Sequence, residues 1–129
     1  MIKKLLVGAL IWGWGFGNAV FAQKEHYVWY FGDSAGVDFN SGSPVALTNG
    51  VLNTLEGCSS ISDSAGNLLF YTDGITVYNR FHQQMPNGFG LYGGHSTTQS
   101  ALIIPQPDSA FIYYIFTADE LGAPTGVNY

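Results

Sequence analysis

The sequence predicts an all-β fold built of antiparallel meander sheets. Three observations predict it. Beyond residue 22, helix formers are scarce while Gly, Ser, Thr, Asn, Tyr and Phe abound, the composition of strands joined by tight turns. Short aromatic and β-branched runs are separated by turn signals such as Asn49-Gly50 and Asp73-Gly74. From Leu68 to Asn79 apolar residues fall on both faces of a strand pair, which predicts a meander covered on both sides.

The elements follow in order. His26 to Gly32 is the first strand, ended by Gly32-Asp33-Ser34-Ala35-Gly36, and Val37 to Asn40 is a short second one. Ser41-Gly42-Ser43-Pro44 is a loop, because Pro44 has no N–H for a ladder. Val45 to Thr48 is a short extended piece before the Asn49-Gly50 turn. Cys58 to Ser62 is a strand, Asp63 to Asn67 a turn, and Leu68 to Thr72 a strand. Asp73-Gly74 reads as a two-residue type I′ hairpin turn into the return strand Ile75 to Asn79. Phe81 to Gln99 reads as one long polar, glycine-rich loop, and a loop of that length in a compact domain is usually functional or inserted. Ala101 to Ile104 is a strand stopped by Pro105-Gln106-Pro107-Asp108, Phe111 to Thr117 is the last strand, and Ala118 to Tyr129 is a polar tail.

An internal echo extends the fold class. Asp-Ser-Ala occurs at Asp33, Asp63 and Asp108; the second and third copies precede Thr72 and Thr117 at the same 45-residue offset, while the first stands only 30 residues before the second. A period of about 40–50 residues is that of one propeller blade. The expectation is therefore the first two or so blades of an incomplete β-propeller, with residues 23–129 a propeller-like N-terminal module truncated at its C-terminal end, because closure needs about four blades or more. A self-contained two-sheet domain is the rival.

Residues 1–22 read as a secretory signal peptide: Lys3 and Lys4, an apolar run from Leu5 to Phe16, and Val20 and Ala22 at the −3 and −1 positions of a cleavage site that leaves Gln23 first. An uncleaved anchor is disfavoured by Asn18 and the glycines of the run. Past it, only Lys24 and Arg80 are strong bases against nine acids, which disfavours nucleic acid as a partner.

Few residues point to chemistry. Cys58 is the only cysteine and cannot form an internal disulfide, so it reads as a small buried side chain. The aspartates fall mostly in turns, where they cap backbone amides, and no run resembles a calcium loop. His26, His82 and His95 lack metal-ligand spacing, and there is no Gly-x-Ser-x-Gly and no phosphate-binding glycine loop. No catalytic residue, metal or cofactor is expected. Most aromatics read as core; Tyr92, His95 and Gln99, in the long loop, are the candidate binding contacts.

A joined set of motifs carries a resemblance: Trp29-Tyr30-Phe31-Gly32, Gly36-Val37-Asp38-Phe39-Asn40-Ser41-Gly42-Ser43-Pro44, Leu55-Glu56-Gly57-Cys58-Ser59-Ser60-Ile61-Ser62-Asp63, Gly66-Asn67-Leu68-Leu69-Phe70-Tyr71-Thr72-Asp73-Gly74 and Met85-Pro86-Asn87-Gly88, continuing through Gly94-His95-Ser96 and Thr98-Gln99-Ser100-Ala101. Over nearly all of residues 23–129 the chain resembles the N-terminal region of large surface proteins of gliding bacteria. These carry a gliding-motility-associated C-terminal domain, the type B sorting domain of type IX secretion. The resemblance implies a propeller-like N-terminal region followed by immunoglobulin-like repeats and the sorting domain, and surface display or secretion. Its implied partner is the type IX secretion machinery, engaged through a C-terminal domain beyond this sequence; the chain alone would stop in the periplasm. It transfers no catalytic residue. The expected function is a non-enzymatic cell-surface or secreted module for adhesion, binding or scaffolding, with a glycan or protein ligand. The alternative is part of a secreted hydrolase acting on glycans or peptides.

Overall fold

The computed structural model describes residues 23–120 and 125–129. The predicted signal peptide, and residues 121–124 of the tail, lie outside the described residues. The described residues hold ten strands and no helix, in three open antiparallel sheets. The first sheet comprises β1 (Val28–Tyr30), β2 (Gly36–Asp38) and β3 (Val45–Leu47) in that order. The middle sheet is the meander β4 (Ser59–Ser62), β5 (Leu68–Thr72), β6 (Thr76–Asn79) and β7 (Gln84–Phe89). The third has β9 (Tyr113–Ala118) between β8 (Ala101–Pro105) and β10 (Val127–Asn128).

The sheets stack in chain order, with β4 packed against both β1 and β8. Val28, Tyr30, Leu52 and Tyr71 form the buried core between the first two sheets, with Leu47, Cys58, Leu68 and Tyr78 around it. Tyr30 and Tyr71 stack across that junction at 4.6 Å, and Phe70 meets Tyr113 edge-on at 5.4 Å across the other. The middle sheet is thus covered on both sides, as its two apolar faces require. A register shift between Ile61 and Ser62 pairs Ser62 with Leu68 and Ile61 with Phe70. The extra residue lets Leu68 join the face of Tyr71, whereas strict alternation assigns it to the face of Phe70.

All three Asp-Ser-Ala copies occupy the same place, the connection from the first to the second strand of a sheet: β1–β2, β4–β5 and β8–β9. Thr72 pairs with Ser59 and Thr117 with Ala101, and both threonines are buried. The unequal offsets follow from sheet size. The first sheet has three short strands, whereas the middle sheet adds a fourth, β7, between the second copy and the third; the connections β3–β4 and β7–β8 are equally long.

Three expectations need correction. The stretch Phe81 to Gln99 is not one loop, because Gln84–Phe89 forms β7 at the edge of the middle sheet. Pro86 is tolerated there because an edge strand has one side without a partner. The tail is not wholly irregular: Val127 and Asn128 pair with Ala118 and Thr117. Asp73-Gly74 is not a two-residue type I′ turn. Thr72 pairs with Val77, so Asp73 to Thr76 make the connection, and only Gly74 among them has a positive φ, at 88°. The Asp73 carboxylate accepts from the Ile75 and Thr76 amides, which opens the turn.

Candidate functional site

The chemistry-bearing side chains gather at a groove of about 500 Å³ between the first and middle sheets. Asp38 comes from β2, Asn49 from the segment after β3, Asn67 from the β4–β5 turn, and Arg80, Phe81 and His82 from the β6–β7 turn. That turn is shaped by Asn79, whose Oδ1 accepts from the amides of Phe81 and Gln83 while its own amide donates to the Gln83 carbonyl. His82 closes the turn in the left-handed region, at φ 61°. A non-glycine residue there costs energy, which ring contacts offset. The imidazole meets Tyr30 edge-on at 5.3 Å and Tyr71 at 5.8 Å.

A hydrogen-bond chain fixes the ring. Tyr30 Oη donates to Asn49 Oδ1 at 2.9 Å, Asn49 Nδ2 lies 2.9 Å from His82 Nε2, and His82 Nδ1 lies 2.9 Å from Tyr71 Oη. With its oxygen occupied by Tyr30, the Asn49 amide nitrogen donates to Nε2. The pattern therefore assigns the ring proton to Nδ1, aimed at the Tyr71 oxygen. Tyr71 Oη also accepts from the Val51 amide at 3.3 Å. Burial pushes the Tyr71 phenol up to about 12. Burial likewise raises Tyr30; the Asn49 bond opposes this and the nearby Asp38 charge adds to it. Both phenols stay neutral near pH 7, and both imidazole nitrogens are engaged. At the rim Arg80 lies over the Phe81 ring, 5.3 Å from its centroid, and both residues are exposed.

Tyr92, His95 and Gln99 lie elsewhere, on the stretch from Leu91 to Ser100 that joins β7 to β8. Its backbone is pinned to the middle and third sheets and to the segment that joins β3 to β4. Gly93 donates to the Gly74 carbonyl, Gly94 to that of Ala118, and the Gly57 amide donates to the Thr97 carbonyl. Thr54 Oγ1 donates to the His95 carbonyl, Thr98 Oγ1 to Glu56, and the Ser96 amide to the Glu120 carboxylate. The buried Ser100 hydroxyl donates to the Asp73 carbonyl at 2.6 Å. Glycine is required at position 93, where a Cβ would stand 2.5 Å from the Gly74 oxygen. The side chains of Tyr92, His95 and Gln99 are exposed, but no hydrogen bond or ring contact among the described residues links them. Gln99 turns back to donate to the Ala101 carbonyl. This segment is a strap whose backbone is tied down and whose Tyr92, His95 and Gln99 side chains are exposed.

The remaining groups are structural. Cys58 Sγ contacts the Tyr30 carbonyl at 3.3 Å, and burial, with the Asp73 charge, pushes its thiol up, away from the reactive thiolate. Asp63 accepts from Asn67 and from the Ala65 amide, which hold its carboxyl below the usual range. No cluster of three His, Cys, Asp or Glu side chains suited to a metal exists among the described residues. Sequence reasoning missed the groove because His82, Asn49 and the two tyrosines come from three distant segments. The one local signal was the tight Asn79-to-Gln83 turn between periodic strands. Comparisons with protein-family models, with curated proteins and with solved structures give no match.

Proposed function

We propose that this chain is an exported, non-catalytic binding module of propeller-like architecture, displayed at the cell surface or secreted, that engages a glycan at the groove beside Arg80, Phe81 and His82. The observation that carries the reading is the state of His82. Both its ring nitrogens are held by Asn49 and Tyr71, so the groove offers hydrogen-bonding groups and an aromatic rim for recognition without a free base. A guanidinium fork beside an exposed ring suits a ligand rich in hydroxyl groups above a carbon face. The propeller part rests on three meanders in chain order, on contacts of β4 with β1 and β8, and on the common position of the Asp-Ser-Ala turns. Export through type IX secretion is proposed from the motif resemblance; its test is surface exposure of the native protein in strains with and without that machinery.

The binding test uses a glycan array probed with the purified full chain. Expected is retention of a glycan with no change in its length, weakened about tenfold, or 1.4 kcal/mol, by Arg80→Ala and by Phe81→Ala. These side chains are exposed, so the fold is spared. Shortening of the bound glycan would favour the hydrolase reading instead, and retention by neither wild type nor variants would overturn the proposal.

A further inference from the structure

An asparagine followed by glycine is prone to lose ammonia, because glycine lets its amide nitrogen reach the asparagine side chain. That nitrogen attacks Cγ, a cyclic succinimide forms as the side-chain nitrogen leaves as ammonia, and water opens either carbonyl to give aspartate or isoaspartate. The sequence holds two such pairs, Asn49-Gly50 and Asn87-Gly88, and treats them alike. Both asparagines are exposed, so access to water does not separate them either.

Their contacts do. The Asn49 carboxamide is held at both ends: Tyr30 Oη donates to Oδ1, and Nδ2 donates to His82 Nε2, each at 2.9 Å. The amide that would attack is held as well, since Gly50 donates to the Ser34 carbonyl at 3.3 Å. Gly50 is buried against Tyr30, and a Cβ there would stand 2.6 Å from the ring. Ring closure at this pair must break all of these bonds and shift a packed glycine. Asn87 lies instead in an irregular part of the β7 edge. Between the pairs Tyr78–Gln84 and Thr76–Phe89, Val77 alone lies opposite Met85, Pro86, Asn87 and Gly88. Pro86 followed by Asn87 at φ 59° bends the strand there. No hydrogen bond among the described residues holds the Asn87 side chain.

We propose that Asn87 is a site of spontaneous deamidation in the folded chain, and that the Tyr30–Asn49–His82 contacts shield Asn49 from the same reaction. The difference matters to the groove that Asn49 lines. An aspartate at position 49 would present only acceptors where Nδ2 now donates to His82, and would add a negative charge beside Tyr30. The network thus preserves an amide that its own sequence favours losing. At position 87 the product places a negative charge on the edge strand, and isoaspartate also lengthens the backbone by a methylene. The inference does not rest on the glycan, since it concerns the stability of the side chains and not what they bind.

The test incubates the purified full chain in mildly alkaline buffer and follows mass gain and isoaspartate over time by peptide mapping. In the folded chain Asn87 should react, and Asn49 should lag it by about fivefold or more, because breaking one or two hydrogen bonds is worth a factor of about 5–30. In urea the two pairs should react at similar rates, because only their sequence remains. His82→Gly, which suits the left-handed backbone of that position, should speed Asn49 by about fivefold or more and leave Asn87 unchanged. Where that variant does not fold, Tyr30→Phe takes its place, and the comparison with urea stands without either. Equal rates in the folded chain, no reaction at Asn87, or a difference that survives urea would each overturn the proposal. An Asn49 rate unmoved in a folded variant would overturn the shielding.

Discussion

Replacing Tyr71 by Phe removes one oxygen and leaves the ring. The ring is fully buried, stacked on Tyr30 at 4.6 Å and on Tyr78 at 5.7 Å, and Phe keeps those contacts. What goes is an acceptor for the Val51 amide and the partner of His82 Nδ1. Two net hydrogen bonds at about 1 kcal/mol each make a loss of about 2 kcal/mol. For a domain of about a hundred residues, 1 kcal/mol moves Tm by about 4–8 °C, so Tyr71→Phe should melt about 8–16 °C below wild type. Near-UV circular dichroism during heating reads it. A double-mutant cycle with His82→Asn isolates the network, since Asn tolerates the left-handed backbone of that position. The expected coupling is about 1 kcal/mol. A melting point within about 2 °C of wild type, or strict additivity in the cycle, would refute the claim that the chain of bonds fixes His82.

Other outcomes follow from the same contacts. The raised Tyr71 phenol keeps its proton in the folded state after the unfolded chain has lost it, so stability should fall as pH rises from about 10 to about 12. Denaturant midpoints across that range check this, and Tyr71→Phe should lose less. Asp63 has the opposite sign: its lowered carboxyl stabilises the fold above the ordinary range, and that contribution disappears as pH falls through the folded value. Asp63→Asn should flatten the acid limb of a stability–pH curve. Ser100→Ala leaves the buried Asp73 carbonyl without its donor and should cost about 1–3 kcal/mol in urea titration.

Part of this was legible from residue order. Aromatic and β-branched runs bounded by turn residues located the strands from Cys58 to Asn79, because strand composition and turn chemistry are carried by the segment itself. The repeated Asp-Ser-Ala marked equivalent connections even where its spacing broke. β7 was hidden because Gln84-Met85-Pro86-Asn87-Gly88-Phe89 lacks strand composition; it forms because β6 offers an open edge. The Asp73-Gly74 turn misled because the Asp73 carboxylate takes the Ile75 and Thr76 amides, and a remote segment adds to this: the Ser100 hydroxyl donates to the Asp73 carbonyl and the Gly93 backbone amide to that of Gly74. Tyr92, His95 and Gln99 were readable as exposed loop side chains, and the structure places them exposed on the strap. His82 was weighed only for metal-ligand spacing, because its partners are set by packing, which a linear pattern does not encode.

The strap also bears on the order of events in folding. Each sheet is a meander of neighbours, so its own pairings form over short distances. The strap joins Thr54 to His95 and Glu56 to Thr98, residues 41 and 42 apart. Closing a loop of about 40 residues carries an entropic cost of about 3 kcal/mol beyond a constant. Those contacts therefore form last, once the sheets exist to receive them. Substitutions along Gly93 to Ser100 should then leave the refolding rate nearly unchanged and speed unfolding, which makes the strap the latch that sets how long the folded state survives.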